Sequence, residues 1–352
     1  MDFNAARSVL LCLRYGIGDV VMEMPAIEAL RRRLPSSRIT ALGAHPATEL
    51  LENDPRVDEV IRVQDWGLQH WADLGNPSIK AGIGDWLEER RFDLIFDVSH
   101  AVFAVQDVIW RRETQILDTG GALQNEALHD EGCGMEAIKK AVKAGWGLEV
   151  PSQLHPRIHL LPVDEHSAEQ FLRKHLISDS SPIGLSPVAS SPLKQWPAAR
   201  FAAVADRLIE ENRSRLLLFC GPDRKAAEAL LTHMQNAKSA VNVGNMHLLR
   251  TAALLARCKV FICNDTGLMH VAAAAGTPVV ALFGPTSPRI YLPCHNGSIA
   301  VDAWNDDCRY RKNASFGPPE CLVSMRCLVG PGSCIHKAQM EDVLNAVRSF
   351  LR

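Results

Sequence analysis

The stretch Val260–Pro288, VFICNDTGLMHVAAAAGTPVVALFGPTSP, constrains this chain more than any other. VFIC is a short apolar run of strand type, followed by the turn residues Asn264, Asp265, Thr266 and Gly267. With helix-start chemistry just before it, a helix is predicted from Leu268. Its side chains, LMHVAAAA, are almost all small, so it can lie close against a sheet. Gly276-Thr277-Pro278 ends the helix, VVALF reads as a second buried strand, and Gly284-Pro285-Thr286 turns out of it. The product is a βαβ unit that gathers backbone N–H groups, a carboxylate, a hydroxyl and His270 at strand ends. Crevices of this kind hold phosphates in open α/β sheets.

The same alternation runs through the chain, whose 352 residues suit two domains better than one. In the first half SVLLCLRY, RITALG, DEVIRV and FDLIFDVS predict strands. Helices are predicted over about 20–34 and ending over about 87–91, with a short helix and turn in HPATELLENDP. A boundary falls in LHPRIHLLPVDEHSAEQ, where Pro and His break the pattern. Beyond it SPIGLSPVA and RLLLFCG predict strands, and helices follow over about 198–211, 224–235 and 248–257, with a last one over about 339–351. This is doubly wound α/β logic. The stretches 66–86 and 119–147 fit less cleanly and carry Trp66, Trp71, Trp86 and Trp146. Two readings stand for them: insertions that recognise an acceptor, or Trp residues that cover core edges.

Composition narrows the class. Apolar residues make up 47% and charged residues 22%, ordinary for a soluble globular protein. A net charge of −2 argues against a nucleic-acid binder. No apolar run approaches the length needed to cross a bilayer, and VLLCL near the N-terminus is too short for a signal segment.

Four segments together carry a resemblance. They are RYGIGDVVMEMPAIEALRRRLP, SPVASSPLKQWPAARFAAVADRL, the stretch described above, and ECLVSMRCLVGPGSCIHKAQMEDVLNAV. In this order they resemble glycosyltransferase family 9, the ADP-heptose heptosyltransferases of lipopolysaccharide core synthesis. The Gly-Asp loop alone is a weak signal; DTGLMH with GTPVVALFGPTSP is a strong one. The resemblance implies an α/β protein of the GT-B arrangement, two Rossmann-like domains facing each other across a cleft. Residues 1–165 would bind the acceptor, 166–335 the nucleotide sugar, and the helix in 336–352 would pack back on the first domain. It implies inverting, metal-independent transfer of heptose from ADP-heptose to a sugar hydroxyl of lipopolysaccharide core, with no required cofactor. The expected location is the cytoplasm, with peripheral contact at the inner membrane through the substrate. Transfer to a protein of the autotransporter type or to a small metabolite, and a non-catalytic nucleotide-binding homologue, stay open as alternatives. A Rossmann dehydrogenase is disfavoured, because G-I-G-D lacks the third glycine and has Met22 and Glu23 where it would stand.

Inverting transfer needs a base for the acceptor hydroxyl. Asp19, in the loop between the first strand and first helix, is the residue the resemblance assigns. The helix N-terminus favours an anion there, so positioning must supply much of the effect. The residue-level alternative is a helix-capping Asp. For the donor, Thr266 and Gly267 offer N–H groups, and His270 shares their helix face. Asp265 would repel phosphate and so more plausibly orients the loop or meets a sugar hydroxyl. Lys194, before Trp-Pro, would neutralise the leaving diphosphate. Ser186 is a further donor-side candidate in the same region, as are Ser190 and Ser191, and Asp223 is a candidate for the nucleoside, or else another N-cap. Gly18, Arg14 and His100 are the acceptor-side candidates, with His45, Arg111 and Arg112 beside them. Cys12, Cys220 and Cys263 read as small core residues. Cys308, Cys321, Cys327 and Cys334 are numerous enough for a structural zinc or iron site, yet they lack the paired C-x-x-C spacing that would assign one.

Overall fold

The computed structural model describes residues 6–67, 77–98, 114–119, 133–177, 182–303, 308, 310, 319–330 and 334–351. The chain divides into two compact units, Met1–His159 and Leu160–Arg352.

The first unit carries β1 (Ser8–Cys12), α1 (Ile17–Arg33), β2 (Arg38–Gly43), β3 (Glu59–Arg62), α2 (Pro77–Arg90), β4 (Leu94–Asp97), β5 (Gln115–Asp118) and α3 (Gly134–Trp146). Its sheet runs β3-β2-β1-β4-β5, with every pairing parallel. Leu10 on β1 faces Thr40 on one side and Ile95 on the other. A parallel strand at this position is covered on both faces, which is why Val9 to Cys12 are apolar without alternation and all buried. The strand order reverses between β1 and β4, so the loops leaving their C-terminal ends part and open a crevice. The β1–α1 loop, Leu13 to Gly16, lies there, with Asp19 on the first turn of α1. Helix α1 begins at Ile17, earlier than the hydrophobic pattern predicts, because Asp19 closes its first turn from within.

The Trp residues split between the two sequence readings. Trp146 is buried on α3 and meets Phe96 edge-on at 4.8 Å, while Trp86 sits 5.6 Å from Phe92. Both serve the core. Trp71 and the side chain of Trp66 lie outside the described residues.

The second unit carries α4 (Pro162–Lys174), β6 (Ile183–Ser186), α5 (Ala198–Asn212), β7 (Leu216–Leu218), α6 (Arg224–His233), β8 (Ala240–Asn242), α7 (Leu248–Leu255), β9 (Val260–Asn264), α8 (Gly267–Ala274), β10 (Val279–Phe283), β11 (Ile299–Asp302) and α9 (Met340–Leu351). Its all-parallel sheet runs β11-β10-β9-β6-β7-β8. Counted from β6, that is the 3-2-1-4-5-6 order of dinucleotide-binding folds, with the reversal between β6 and β9. Gly276 ends α8 with φ at +94°, the left-handed region that glycine reaches without cost.

Two expectations about the domains change. Helix α4 packs on α7 and belongs to the second unit, so the division falls after His159 rather than after residue 165. The closing helix, expected on the first domain, instead buries Val343, Leu344 and Val347 in the second unit's own core with Val204, Leu208, Val260 and Val280. Its Arg348 reaches Glu211 of α5 at 2.8 Å. The apolar face of α9 is satisfied by the sheet and helix of its own unit.

Candidate active site

In the second unit the loops after β6, β9 and β10 meet at the switch point. Asn264, the last residue of β9, is fully buried and clamps the loop after β6. Its Oδ1 accepts from the Trp196 N–H at 3.1 Å and its Nδ2 donates to the Pro187 carbonyl at 2.7 Å. Trp196 is fixed below this by an indole N–H to the Ala338 carbonyl at 3.2 Å and by an edge contact with Phe201. It is a packing residue. The clamp sets Lys194, whose Nζ donates to Asp265 Oδ2 at 2.7 Å. Thr286, from the loop after β10, donates to the same oxygen at 2.6 Å. The Tyr291 ring lies under the ammonium, 5.9 Å from Nζ to centroid. Asp265 is therefore an organiser that holds two loops against the start of α8.

Thr266 occupies the N-cap position of α8 in extended backbone, but its hydroxyl does not cap the helix. Thr266 and Gly267 are half-buried at this helix start, and His270 is buried one turn in. Ser186, at the end of β6, is fully buried, and its Oγ has no hydrogen-bond partner among the described residues. Asp223 caps α6, accepting from the Ala226 N–H at 3.0 Å. Ser191 likewise accepts from the Leu193 N–H at 3.3 Å. Sequence reasoning named Lys194 and Asp265 separately and missed Thr286 and Asn264. The only signal for Thr286 was its place in the turn after VVALF.

In the first unit Asp19 lies on the first turn of α1, one residue after Gly18, with its side chain 34% exposed. Its Oδ2 accepts from the Gly16 N–H at 3.2 Å, and its Oδ1 stands 3.1 Å from Arg14 Nη1. Arg14 also donates through Nε to Glu23 Oε1 at 2.6 Å. Glu23 is 1% exposed, in the middle of the buried face of α1. Burial pushes its carboxyl up to about 7, with Arg14 pulling it down and Asp19 adding a smaller push upward. Arg14, an acceptor-side candidate from sequence, is thus in contact with Asp19 itself. Glu23 was missed, although a lone acid between Met22 and Met24 on an otherwise apolar helix face is a visible anomaly. His45 pairs with Glu49 at 3.4 Å. His100, Arg111 and Arg112 lie outside the described residues.

Cys12, Cys220 and Cys263 are buried core thiols, and burial pushes Cys220 up to about 12. Burial and the neighbouring thiols of Cys308 and Cys327 push Cys321 up as well. Cys334 packs by Gly284. Among the described residues no three His, Cys, Asp or Glu side chains are grouped closely enough to hold a metal ion. No described helix is long and apolar enough to cross a membrane.

Comparison with known proteins adds to this geometry. Residues 134–315 match the model of glycosyltransferase family 9 (heptosyltransferase). A lipooligosaccharide heptosyltransferase 2 of Haemophilus ducreyi is 34% identical over 309 residues, covering 81% of this chain and 85% of its own. A solved glycosyl transferase family 9 structure from Veillonella parvula has a TM-score of 0.79 at 21% identity, covering 100% of this chain and 98% of its own. The E. coli ADP-heptose lps heptosyltransferase II has a TM-score of 0.70 at 22% identity, covering 98% of each chain. The α/β fold with two parallel sheets is of the GT-B class.

Proposed function

We propose, from the premise that this chain belongs to glycosyltransferase family 9, the heptosyltransferases, that it transfers heptose from ADP-heptose to a sugar hydroxyl of lipopolysaccharide core with inversion at the anomeric carbon. The observation that carries the donor half is the Lys194–Asp265 pair at the start of α8, at the point where the second sheet reverses its order. That is where an open α/β sheet receives a nucleotide. ADP-heptose is named in the description of the E. coli relative.

In this reading Asp19 takes the proton from the acceptor hydroxyl as its oxygen attacks the anomeric carbon. The bond from that carbon to the β-phosphate oxygen breaks, and ADP leaves with the electron pair. The new negative charge falls on the diphosphate. In this reading the Lys194 ammonium and the N–H groups of Thr266 and Gly267 meet it, with His270 one turn behind. Ser186 offers a hydroxyl that has no hydrogen-bond partner among the described residues. With an ammonium and a helix start doing the charge work, no divalent metal is required. Asp265 stays bound to Lys194 and Thr286 and keeps the two loops in register. Such chemistry belongs in the cytoplasm, where ADP-sugars are made, at the membrane face that carries the acceptor.

The test is a transfer reaction with ADP-heptose and a heptose-deficient lipopolysaccharide in EDTA, followed by NMR of the product. The reading expects ADP release that depends on acceptor and a linkage of opposite anomeric configuration to the donor. Retention of configuration, or activity that needs added metal, contradicts it.

A further inference from the structure

Glu23 has no role in the chemistry above, yet it is an acid 1% exposed on the apolar face of α1. Its neighbours on the buried face of α1 are Val20, Val21, Met22, Met24 and Ile27. A carboxylate in such surroundings is costly unless it is paired and hydrogen-bonded. Its partner is Arg14, which gives it a 2.6 Å bond from Nε and a 3.4 Å contact from the backbone N–H. Arg14 does not end there. Its Nη1 lies 3.1 Å from Asp19 Oδ1, so one planar guanidinium joins the buried acid to the half-exposed one. Asp19 and Glu23 stand four residues apart on one helix face. The other Asp19 oxygen is tied to the Gly16 N–H. Both oxygens of Asp19 are thus oriented, one by backbone and one by a side chain that is itself anchored in the core.

We propose that Glu23 is a positioning residue for glycosyl transfer, acting through Arg14 to hold the Asp19 carboxylate toward the acceptor hydroxyl. This rests on Asp19 being the base. An arginine has several rotatable bonds, and unanchored it would neither fix Asp19 nor leave its free face open to acceptor. The Glu23 carboxylate also balances the guanidinium charge, so Asp19 is oriented without being set beside a net cation. The acid buried in the helix and the acid at the surface form one unit through the arginine between them.

The experiment is steady-state transfer kinetics, with ADP binding by calorimetry, on the full chain and five variants: Glu23→Gln, Glu23→Asp, Arg14→Gln, Asp19→Asn and the double Asp19→Asn/Glu23→Gln. Expected for Glu23→Gln is a loss of kcat of about tenfold to a hundredfold, the scale of a misplaced reacting group, with donor KM and ADP affinity unchanged. Glu23→Asp, which keeps the charge, should recover part of that loss. Arg14→Gln breaks the same chain at its outer end and should give the same kcat loss, which covers the case in which Glu23→Gln fails to fold. The double variant should be no slower than Asp19→Asn alone. Full activity of Asp19→Asn would overturn the base reading and this proposal with it. An inactive Asp19→Asn beside fully active Glu23→Gln and Arg14→Gln would overturn this proposal and leave the base reading standing. A further loss in the double variant, equal to that of Glu23→Gln in the wild-type background, would also overturn it.

Discussion

Lys194 Nζ stands 2.7 Å from Asp265 Oδ2, joining the loop after β6 to the start of α8. The pair is mostly shielded, with side chains 16% and 7% exposed, and Thr286 donates to the same carboxylate oxygen. A cation is held beside a helix N-terminus before any ligand arrives, and it already has an anionic partner. In the proposed reading an incoming diphosphate would share the ammonium with Asp265, so donor binding would draw on a lysine that keeps its anionic partner.

Lys194→Ala removes the ammonium held beside that helix start by Asp265. We expect kcat/KM to fall about 10²- to 10³-fold, the scale of losing one donor to developing charge, with weaker ADP binding by calorimetry. A variant that binds ADP as wild type does would remove Lys194 from the donor site.

Asp19→Ala should lower transfer about 10²- to 10⁴-fold, as loss of a general base does, while ADP affinity stays close to wild type, because the proposed donor contacts belong to the second unit. Kinetics and calorimetry on the same preparation separate the two effects. Near-full turnover would withdraw the base assignment.

Gly16→Ala tests the geometry of the same carboxylate from the other side. A Cβ at Gly16 would stand 2.6 Å from Asp19 Oδ2, too close, so the carboxylate must move. The backbone there is extended, with φ at −85°, and accepts alanine. The expected result is a normal melting curve with kcat lowered about tenfold or more. Unchanged kcat would show that the position of Asp19 is not critical.

Stability should respond to pH through Glu23. Its carboxyl is raised by burial from 4.5 to about 7. A carboxyl with a raised folded-state value binds its proton more tightly folded than unfolded. Its stabilising contribution is therefore complete below about pH 4.5 and is lost as pH rises through about 7. The loss is on the order of 3 kcal/mol. Denaturant unfolding of wild type and Glu23→Gln at pH 5 and pH 8 checks the sign: the variant should gain on wild type as pH rises. A constant difference between the two would contradict the raised value.

The alternation of strands and helices was legible because each βαβ step leaves a run of apolar residues and a turn. The Val260–Pro288 unit came through with strand, helix and strand in place. Short strands did not: Gln115–Asp118, Ala240–Asn242 and Ile299–Asp302 carry only two or three apolar residues each, too few to stand out. Helix α3 was missed although Met135, Ile138, Val142 and Trp146 fall on its buried face, because glycines on either side break the pattern. In the site, the residue types could be named one by one. Their pairings could not: Lys194 finds Asp265 across 71 positions, and Trp196 finds Asn264 across 68. The final helix shows the same limit. Its amphipathic face was plain, but which core would bury it was decided by tertiary packing.

The most direct measurement is calorimetric titration of the protein in EDTA with ADP-heptose, beside other nucleotide sugars and NAD. The account expects ADP-heptose to bind preferentially and without metal, and Lys194→Ala to weaken that binding. Preference for a different nucleotide sugar, or binding that appears only when a divalent metal is restored, would contradict it.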